Sequence, residues 1–286
     1  MINEFLKLRD FMVYTLVCIL CFSCGDGVKK GGENLPTSNS KPTDVLAKNV
    51  KYIDSIKEKN GLKIKWARKG KGSKITDGDL VLISYVVTLP NGKLVDGSSK
   101  ITKSDLPFLV GYNMQSKGWD EALRRMSVGD VATVILPSEL GWSENSVGDA
   151  LPANSDLIIQ FYVVKKVPPA TTMNGSKIWR WNLLKPNKDD IGFGPQKIIK
   201  FNLIVNSRKD ISLINTYNKK LVITNKFEDE FEPKSLKKAL TNAKKNQGVF
   251  VLVSPQEVSE IKGIKEKIHS NEWLFYNIQV VDVSSK

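Results

Sequence analysis

The sequence predicts an α+β fold in which antiparallel strands surround one short helix, followed by a second, degenerate copy of that arrangement. Apolar and polar residues alternate with the period of a strand in several segments, whereas the first half has only one clear helical repeat. The order of these segments recurs after an offset of about 118 residues. At 286 residues the chain is long enough for two domains of ordinary size.

The N-terminus has the pattern of a bacterial secretion signal. Lys7 and Arg9 precede the apolar run 11–22, which has the length of a signal-peptide core and is short for a membrane span. The run leads into Cys21-Phe-Ser-Cys24, which looks like a lipobox, where the last cysteine is lipidated after cleavage just before it. We therefore expect residues 1–24 to form a lipoprotein signal peptide, with Cys24 as the lipidation site. An uncleaved signal anchor is the alternative.

Two segments connect this signal to the first domain. Residues 25–42 consist largely of Gly, Lys, Ser, Asn and Pro, which is typical of a flexible tether. Residues 43–60 place apolar residues close to helical spacing behind a Thr or Asp cap, and so predict a short amphipathic helix. These apolar positions are Leu46, Val50, Ile53 and Ile56.

Residues 61–168 contain the strands and the helix of the predicted first domain. The turn sequence Pro90-Asn-Gly92 between two alternating segments predicts a hairpin. Trp119, Leu123 and Met126 share one side of the predicted helix. The expected elements are a strand within 61–72, the hairpin over 79–89 and 93–96, the helix over 119–126, and strands over 130–136 and 157–164.

Residues 169–286, which follow Pro168, repeat this order of elements. Val134–Glu139 lines up with Leu252–Glu257, and Asn154–Val164 lines up with Asn271–Val281. The repeated elements are a strand over 198–205, a short helix over 233–240 and a strand over 248–253. We interpret this region as a degenerate second domain.

Composition excludes several classes of function. The 43 Lys and Arg residues outnumber the 30 Asp and Glu, but they follow no recognisable nucleic-acid module, so we expect no nucleic-acid partner. The only histidine, His269, lies outside the first domain, which excludes a Ser–His hydrolase and a multi-histidine metal site. Cys18, Cys21 and Cys24 all lie in the signal segment, so the body has no disulfide. We predict no metal and no other cofactor.

Several motifs between residues 61 and 167 occur in a characteristic order and spacing. They are the hairpin that ends in Asp96, Gly118-Trp119, Met126-Ser-Val-Gly129, Leu136-Pro137, and Leu151-Pro-Ala-Asn-Ser-Asp-Leu157. Together they resemble the FK506-binding-protein (FKBP) family of peptidyl-prolyl isomerases, in its lipoprotein and macrophage-infectivity-potentiator branch. The resemblance implies an FKBP-like twisted antiparallel sheet wrapped around one short helix, with an apolar pocket between them.

The reaction that this resemblance implies breaks no covalent bond. The barrier to rotation about a peptide bond, about 18–20 kcal/mol, comes from the resonance lost on twisting. An apolar pocket that binds the twisted amide better than the planar one lowers this barrier, and each ~1.36 kcal/mol of preference gives roughly a tenfold rate. Aromatic walls with a few hydrogen-bond donors are therefore expected, and no nucleophile is required.

The resemblance implies four catalytic residues. Trp119 would form the floor of the proline pocket, with Tyr85 and Asp96 as polar groups at its edge. Trp142 stands where the family usually has a tyrosine whose hydroxyl donates to the substrate carbonyl. An indole N–H can also donate, although it cannot accept.

The other substrate-binding positions depart from the family pattern. Val95, Leu106 and Ile159 stand where the family usually has phenylalanines, while Leu151 is close to the usual isoleucine. Gln115 and Ser116 replace an apolar pair at a point where the family uses a backbone N–H as donor. We expect proline binding to be weakened and activity to be at or below the ordinary family level.

In the second copy the matching positions have lost the site. We match Leu203 to Tyr85, Asn215 to Asp96, and the Phe231-Glu-Pro233 step to Gly118-Trp119. This copy is therefore expected to have a structural or partner-binding role.

The leading hypothesis is a peptidyl-prolyl cis-trans isomerase that assists the folding of exported proteins in the bacterial cell envelope. It would be lipid-anchored, at the outer membrane or the periplasmic face, and would act on proline-containing exported polypeptides. The resemblance also implies macrolide ligands similar to FK506 and rapamycin. The alternative is a non-catalytic lipoprotein of the same fold that binds polypeptides as a chaperone or serves an envelope or motility assembly. The substituted pocket wall favours this alternative.

Overall fold

The computed structural model describes residues 50–98, 105–146, 150–185, 187–261, 268 and 271–285. The predicted signal peptide with Cys24, the predicted tether and the start of the predicted helix over 43–60 lie outside these residues. No helix within them is long and apolar enough to cross a membrane. The chain divides into two units between Val167 and Pro168.

The first unit is built on an antiparallel sheet with a short helix. Its elements are β1 (Asp54–Lys57), β2 (Lys63–Arg68), β3 (Leu80–Thr88), β4 (Leu94–Gly97), β5 (Leu106–Leu109), α1 (Lys117–Leu123), β6 (Val131–Leu136), a 3-10 turn (Ser138–Leu140) and β7 (Leu157–Lys166). Among the described residues the sheet order is β1-β2-β6-β7-β3-β4. Strand β3 pairs with β5 through Leu80–Ile83 and with β4 through Val86–Thr88. The predicted strands and the predicted helix over 119–126 are therefore confirmed.

The predicted helix over residues 43–60 is wrong in its described part. Residues 54–57 form strand β1, in which Ile56 lies opposite Ile64 of β2. Ile53, which was expected on the apolar side of the helix, is 60% exposed. Pairing with the open edge of β2 gives these residues a partner for their backbone groups, and such tertiary contacts override a weak local periodicity.

The second unit has the same kinds of element. They are β8 (Thr171–Met173), β9 (Ser176–Asn182), β10 (Lys197–Asn206), β11 (Ile214–Asn215), β12 (Ile223–Lys226), α2 (Lys234–Leu240), β13 (Gln247–Val253), α3 (Pro255–Val258) and β14 (Leu274–Ser285). Among the described residues the sheet order is β11-β10-β14-β13-β9-β8, and β12 pairs with β10.

The two units have one topology. Strands β8 to β14 occupy the places of β1 to β7 in turn, and α2 falls between β12 and β13 as α1 falls between β5 and β6. The predicted second, degenerate copy of the fold is therefore confirmed. Each unit buries its own apolar core, which in the second unit includes Phe193, Phe201 and Leu240.

Candidate active site

Cross-strand pairs place three of the predicted site residues, Tyr85, Asp96 and Ile159, on one side of the first sheet. Val87 of β3 lies opposite Asp96 of the neighbouring strand β4 and opposite Ile159 of the other neighbouring strand, β7. Tyr85, two residues before Val87 on β3, lies opposite Phe161, two residues after Ile159 on β7. Because side chains two apart on a strand point the same way, Asp96, Ile159, Tyr85 and Phe161 face the same side.

Tyr85 and Asp96 form a buried polar pair. The Tyr85 hydroxyl donates to Asp96 Oδ2 at 2.9 Å, and the backbone N–H of Gly97 donates to Asp96 Oδ1 at 2.7 Å. Burial, together with the charge and the hydrogen bond of Asp96, raises the pKa of Tyr85 well above its ordinary value. The phenol therefore stays protonated around neutral pH and keeps donating to the carboxylate.

Trp119 lies among three other aromatic rings. Its ring meets Tyr85 edge-on at a centroid distance of 5.2 Å and Phe161 edge-on at 4.9 Å. Phe108 stacks on it at 5.8 Å with an interplanar angle of 21°. Edge-on and stacked contacts of this kind stabilise ring pairs beyond their buried area, so the indole is held in one orientation.

The helix that carries Trp119 approaches its neighbours closely because residue 118 is glycine. A Cβ atom on Gly118 would lie 2.1 Å from Leu136 Cδ1 and 2.8 Å from the backbone oxygen of Leu140. A larger residue would thus push α1, and Trp119 with it, out of place.

Asp120 fixes the loop in front of the helix. Its carboxylate accepts backbone N–H groups from Gly111 and Asn113, both at 2.7 Å. Burial raises the pKa of Asp120 to about 6, although both hydrogen bonds and nearby Arg124 oppose the rise. Arg124 donates in turn to Asp77 at 2.5 Å. These contacts connect the loop, the helix and the turn before β3.

The remaining predicted wall residues are buried or half-buried. Val95 is 3% exposed and lies between Leu94 and Asp96, where the register shift opposite Val87 and Thr88 makes it the extra residue of a bulge. Leu106 is half-buried opposite Ile83. Leu151 and Trp142 are buried, and the indole N–H of Trp142 makes no hydrogen bond to another described residue.

Gln115 and Ser116 come immediately before α1. Ser116 is buried, and its backbone oxygen accepts the N–H of Trp119 at 3.1 Å. The side-chain oxygens of both residues are buried without a hydrogen-bond partner in the described structure.

Sequence reasoning missed three residues of this site. Phe108 and Phe161 have the spacing of ordinary core residues, so only the folded structure shows that they flank Trp119. Asp120 follows Trp119 directly, and a carboxyl in the first turn of a helix was a signal that could have been used.

The second unit has apolar residues in place of the polar pair. Leu203 matches Tyr85 as predicted. Leu203 lies two residues before Val205, which pairs with Ile214 of β11, and Tyr85 lies two residues before Val87, which pairs with Asp96 of β4. The predicted match of Asn215 to Asp96 is wrong by one residue, because Ile214 lies opposite Val205 as Asp96 lies opposite Val87. The error arises because β4 has an extra residue, Val95, in a bulge, whereas the two-residue strand β11 has none.

The predicted match of Phe231-Glu-Pro233 to Gly118-Trp119 is also wrong. Both helices begin at a lysine, Lys117 and Lys234, so Leu236 takes the place of Trp119. The second unit has a cavity of about 690 Å³ beside this helix, with Glu232, Lys237 and Glu260 in its lining. This charged cavity differs in kind from the aromatic surroundings of Trp119.

The arrangement of aromatic rings and one polar pair in the first unit is suited to binding and orienting a ligand. Among the described residues, no cluster of three or more His, Cys, Asp or Glu side chains could hold a metal ion. What the structure brings together is an indole, an aromatic surround and one neutral phenol bound to a carboxylate.

Comparisons with known proteins agree with this description. Residues 71–164 match the family model of FKBP-type peptidyl-prolyl cis-trans isomerases. FK506-binding protein 2 of Dictyostelium discoideum is 32% identical over 131 residues, which cover 45% of this chain and 85% of the relative. FK506-binding protein 1A of Neurospora crassa is 34% identical over 111 residues, which cover 38% of this chain and 92% of the relative.

Two further similarities concern a bacterial protein and a solved structure. The outer membrane protein MIP of Legionella longbeachae is 29% identical over 133 residues, covering 44% of this chain and 56% of that protein. The crystal structure of AtFKBP13 covers 40% of this chain and 99% of its own, with 26% identity and a TM-score of 0.38.

The fold and the described residues thus define an antiparallel α+β protein in which a tryptophan is surrounded by aromatic rings. The chain belongs to the family of FKBP-type peptidyl-prolyl cis-trans isomerases.

Proposed function

We propose that the chain is a lipid-anchored prolyl isomerase of the bacterial cell envelope, which assists the folding of exported proteins. The observation that carries the proposal is the buried Tyr85–Asp96 pair beside Trp119. The second unit supports it by contrast, because it has the same topology with Leu203, Ile214 and Leu236 at these places.

The proposed mechanism is preferential binding of the twisted amide. The proline ring lies on Trp119, and Trp142 donates its indole N–H to the substrate carbonyl. Asp96, held by Tyr85, lies at the edge of the pocket, where the carbonyl turns away from its planar position. Removing water from this site strengthens each polar contact, and donors fixed before the reaction stabilise the transition state without reorganisation.

We expect a modest rate. Val95, Leu106 and Ile159 offer less aromatic surface to a proline ring than phenylalanines would, whereas Phe108 and Phe161 support Trp119 from behind. Each Å² of apolar contact that is lost weakens substrate binding by about 25 cal/mol. Macrolides of the FK506 and rapamycin type, which would occupy the same pocket, should bind weakly for the same reason.

The location in the envelope rests on the N-terminal sequence. A basic start, an apolar run and Cys24 form the expected lipoprotein signal. Similarity to an outer membrane protein of Legionella longbeachae agrees with a location at the outer membrane or the periplasmic face.

A non-catalytic role in binding polypeptides is the second candidate, and the second unit favours it. Ile211, Leu221 and Val222 of this unit are each at least 46% exposed. Exposed apolar side chains of this size suit contact with unfolded or partner polypeptides. This role would add to the activity of the first unit or, if that unit is inactive, replace it.

An isomerisation assay on a proline tetrapeptide tests the proposal. The full chain should accelerate cis-trans exchange, and Asp96→Ala and Trp142→Ala should each reduce kcat/KM by about tenfold or more, because a hydrogen bond to a charged or reacting group contributes about 1.5–3 kcal/mol. Asp189→Ala, an exposed position in the second unit, is the control. A wild-type rate equal to that of buffer would leave only the binding role.

A further inference from the structure

Three buried polar atoms lie within one turn of chain at the start of α1 and have no hydrogen-bond partner in the described structure. They are Gln115 Oε1, Ser116 Oγ and Trp119 Nε1. Ser116 is 3% exposed and Trp119 is 2% exposed. The backbone hydrogen bond from Trp119 to Ser116 keeps the three residues together.

Such atoms are unfavourable in a folded protein. Leaving a buried donor or acceptor unpaired costs about 1–3 kcal/mol, so most buried polar atoms have a partner. Ser116 has the extended backbone of an N-cap residue, with φ −148° and ψ 163°, yet its side chain makes no capping hydrogen bond. Helix capping therefore does not account for this serine.

The second unit indicates that the fold itself does not need these groups. At the places of Gln115, Ser116 and Trp119 it has Glu232, Pro233 and Leu236, and α2 forms there with the same length as α1. The topology that both units share therefore does not account for this polar set.

The three atoms have complementary hydrogen-bonding abilities. A glutamine carbonyl only accepts, an indole N–H only donates, and a serine hydroxyl does both. A side-chain carboxamide, which has a donor and an acceptor side by side, satisfies such a set, whereas an aliphatic side chain leaves it unpaired. Sites built to hydrogen-bond a substrate group discriminate strongly against analogues that lack it.

We propose that Gln115, Ser116 and Trp119 select prolyl substrates in which a residue next to the proline has a carboxamide side chain. This inference rests on the proposed function, since it concerns the same pocket. It makes Gln115 and Ser116 specificity-determining residues through their side chains.

The test compares two series of tetrapeptides with the full chain. One series varies the residue before the proline and the other the residue after it, each with glutamine or leucine. At one of the two positions the glutamine peptide should have a kcat/KM about tenfold above that of the leucine peptide. This is the ratio that one additional satisfied hydrogen bond of about 1.4 kcal/mol gives.

Variants assign the preference to these side chains. Gln115→Met, nearly equal in size, and Ser116→Val should each reduce the glutamine preference, whereas Ser116→Thr, which retains a hydroxyl, should keep it. Gln256→Met and Ser259→Val make the same changes at exposed positions of the second unit and should leave the preference unchanged. Circular dichroism of each variant reports whether it has folded.

Two results would overturn the inference, and they differ from failure of the proposed function. Leucine peptides isomerised as fast as glutamine peptides in both series would contradict it. A glutamine preference that persists in folded Gln115→Met and Ser116→Val would also do so. If no peptide is isomerised faster than in buffer, the proposed function itself is wrong.

Discussion

The polar part of the candidate site depends on one buried hydrogen bond, from the Tyr85 hydroxyl to Asp96 Oδ2 at 2.9 Å. Both residues are at most 3% exposed, so this hydrogen bond is shielded from bulk water. Without the phenol, the carboxylate would retain its bond from the N–H of Gly97 but lose the one from Tyr85.

We therefore expect Tyr85→Phe to reduce both stability and activity. The loss of a hydrogen bond to a buried carboxylate should lower the free energy of unfolding by about 1.5–3 kcal/mol. Denaturant titration and the tetrapeptide assay measure the two effects. Tyr162→Phe, one residue from Phe161 and on the other side of β7, is the matched control. Equal effects of the two variants on kcat/KM would contradict the role of Tyr85.

Asp120 gives a prediction about pH. Its pKa in the folded protein is about 6 against 3.8 for the free side chain, so the folded state binds a proton more tightly than the unfolded state. Its contribution to stability is fully present below pH 3.8 and is lost as the pH rises through 6. The stability of the wild type relative to Asp120→Asn should thus fall by about 2 kcal/mol between pH 4.5 and pH 7.

Denaturant unfolding at these two pH values measures the difference. Asp189→Asn at the exposed position is the control for general effects of pH. A stability of the wild type relative to Asp120→Asn that stays constant or rises between pH 4.5 and pH 7 would contradict the assignment.

At the scale of residues, the sequence predicted the site residues that belong to a family motif and missed those that do not. Tyr85, Asp96 and Trp119 stand out in the motifs, and the structure brings them together. Phe108 and Phe161 were not predicted because a phenylalanine on a buried strand has the same appearance whether it fills a core or supports an indole. The unpaired atoms of Gln115 and Ser116 could not be predicted, since pairing is a property of the folded neighbourhood.

At the scale of elements, α1 is placed by its closest contact. Gly118 lets the helix lie against Leu136 and the backbone of Leu140. These two neighbours belong to the end of β6 and to the 3-10 turn, and both elements have little freedom to move.

Gly118→Ala should therefore disturb the site without removing any of its residues. We expect a loss of about 1–3 kcal/mol in the free energy of unfolding, which is typical of overpacking, and a fall in kcat/KM as Trp119 shifts. Gly194→Ala, where a Cβ would meet nothing within 4 Å, is the control. An unchanged kcat/KM in Gly118→Ala would show that the position of the helix does not limit catalysis.

The prediction of elements succeeded where the pattern was long and failed where it was short. Strands β3 and β7 are 9 and 10 residues long, so the pattern that predicted them extends over many residues and their assignment was secure. Residues 54–57 are too few for a period to decide, and pairing with β2 made them a strand. The match of Asn215 to Asp96 failed for a similar reason, because β11 has two residues and no bulge to fix its register.

At the scale of the whole molecule, one fold occurs twice with two different interiors. The repeat was predictable from the offset between similar segments, and the common strand order confirms it. In the first unit the pocket position contains Tyr85 and Asp96, and in the second it contains Leu203 and Ile214. The chain thus contains an internal control, since the second unit shows that this topology forms with an apolar pair.

The central claim is that the Tyr85–Asp96 pair of the first unit catalyses prolyl isomerisation. Exchange NMR of a proline tetrapeptide, with the full chain at a small fraction of the peptide concentration, tests it most directly. The compared variant is Tyr85→Leu with Asp96→Ile, which gives the first unit the residues of the second. We predict cis-trans exchange peaks with the wild type and their loss in the folded double variant. Peaks of equal intensity with both proteins, or none with either, would contradict the claim.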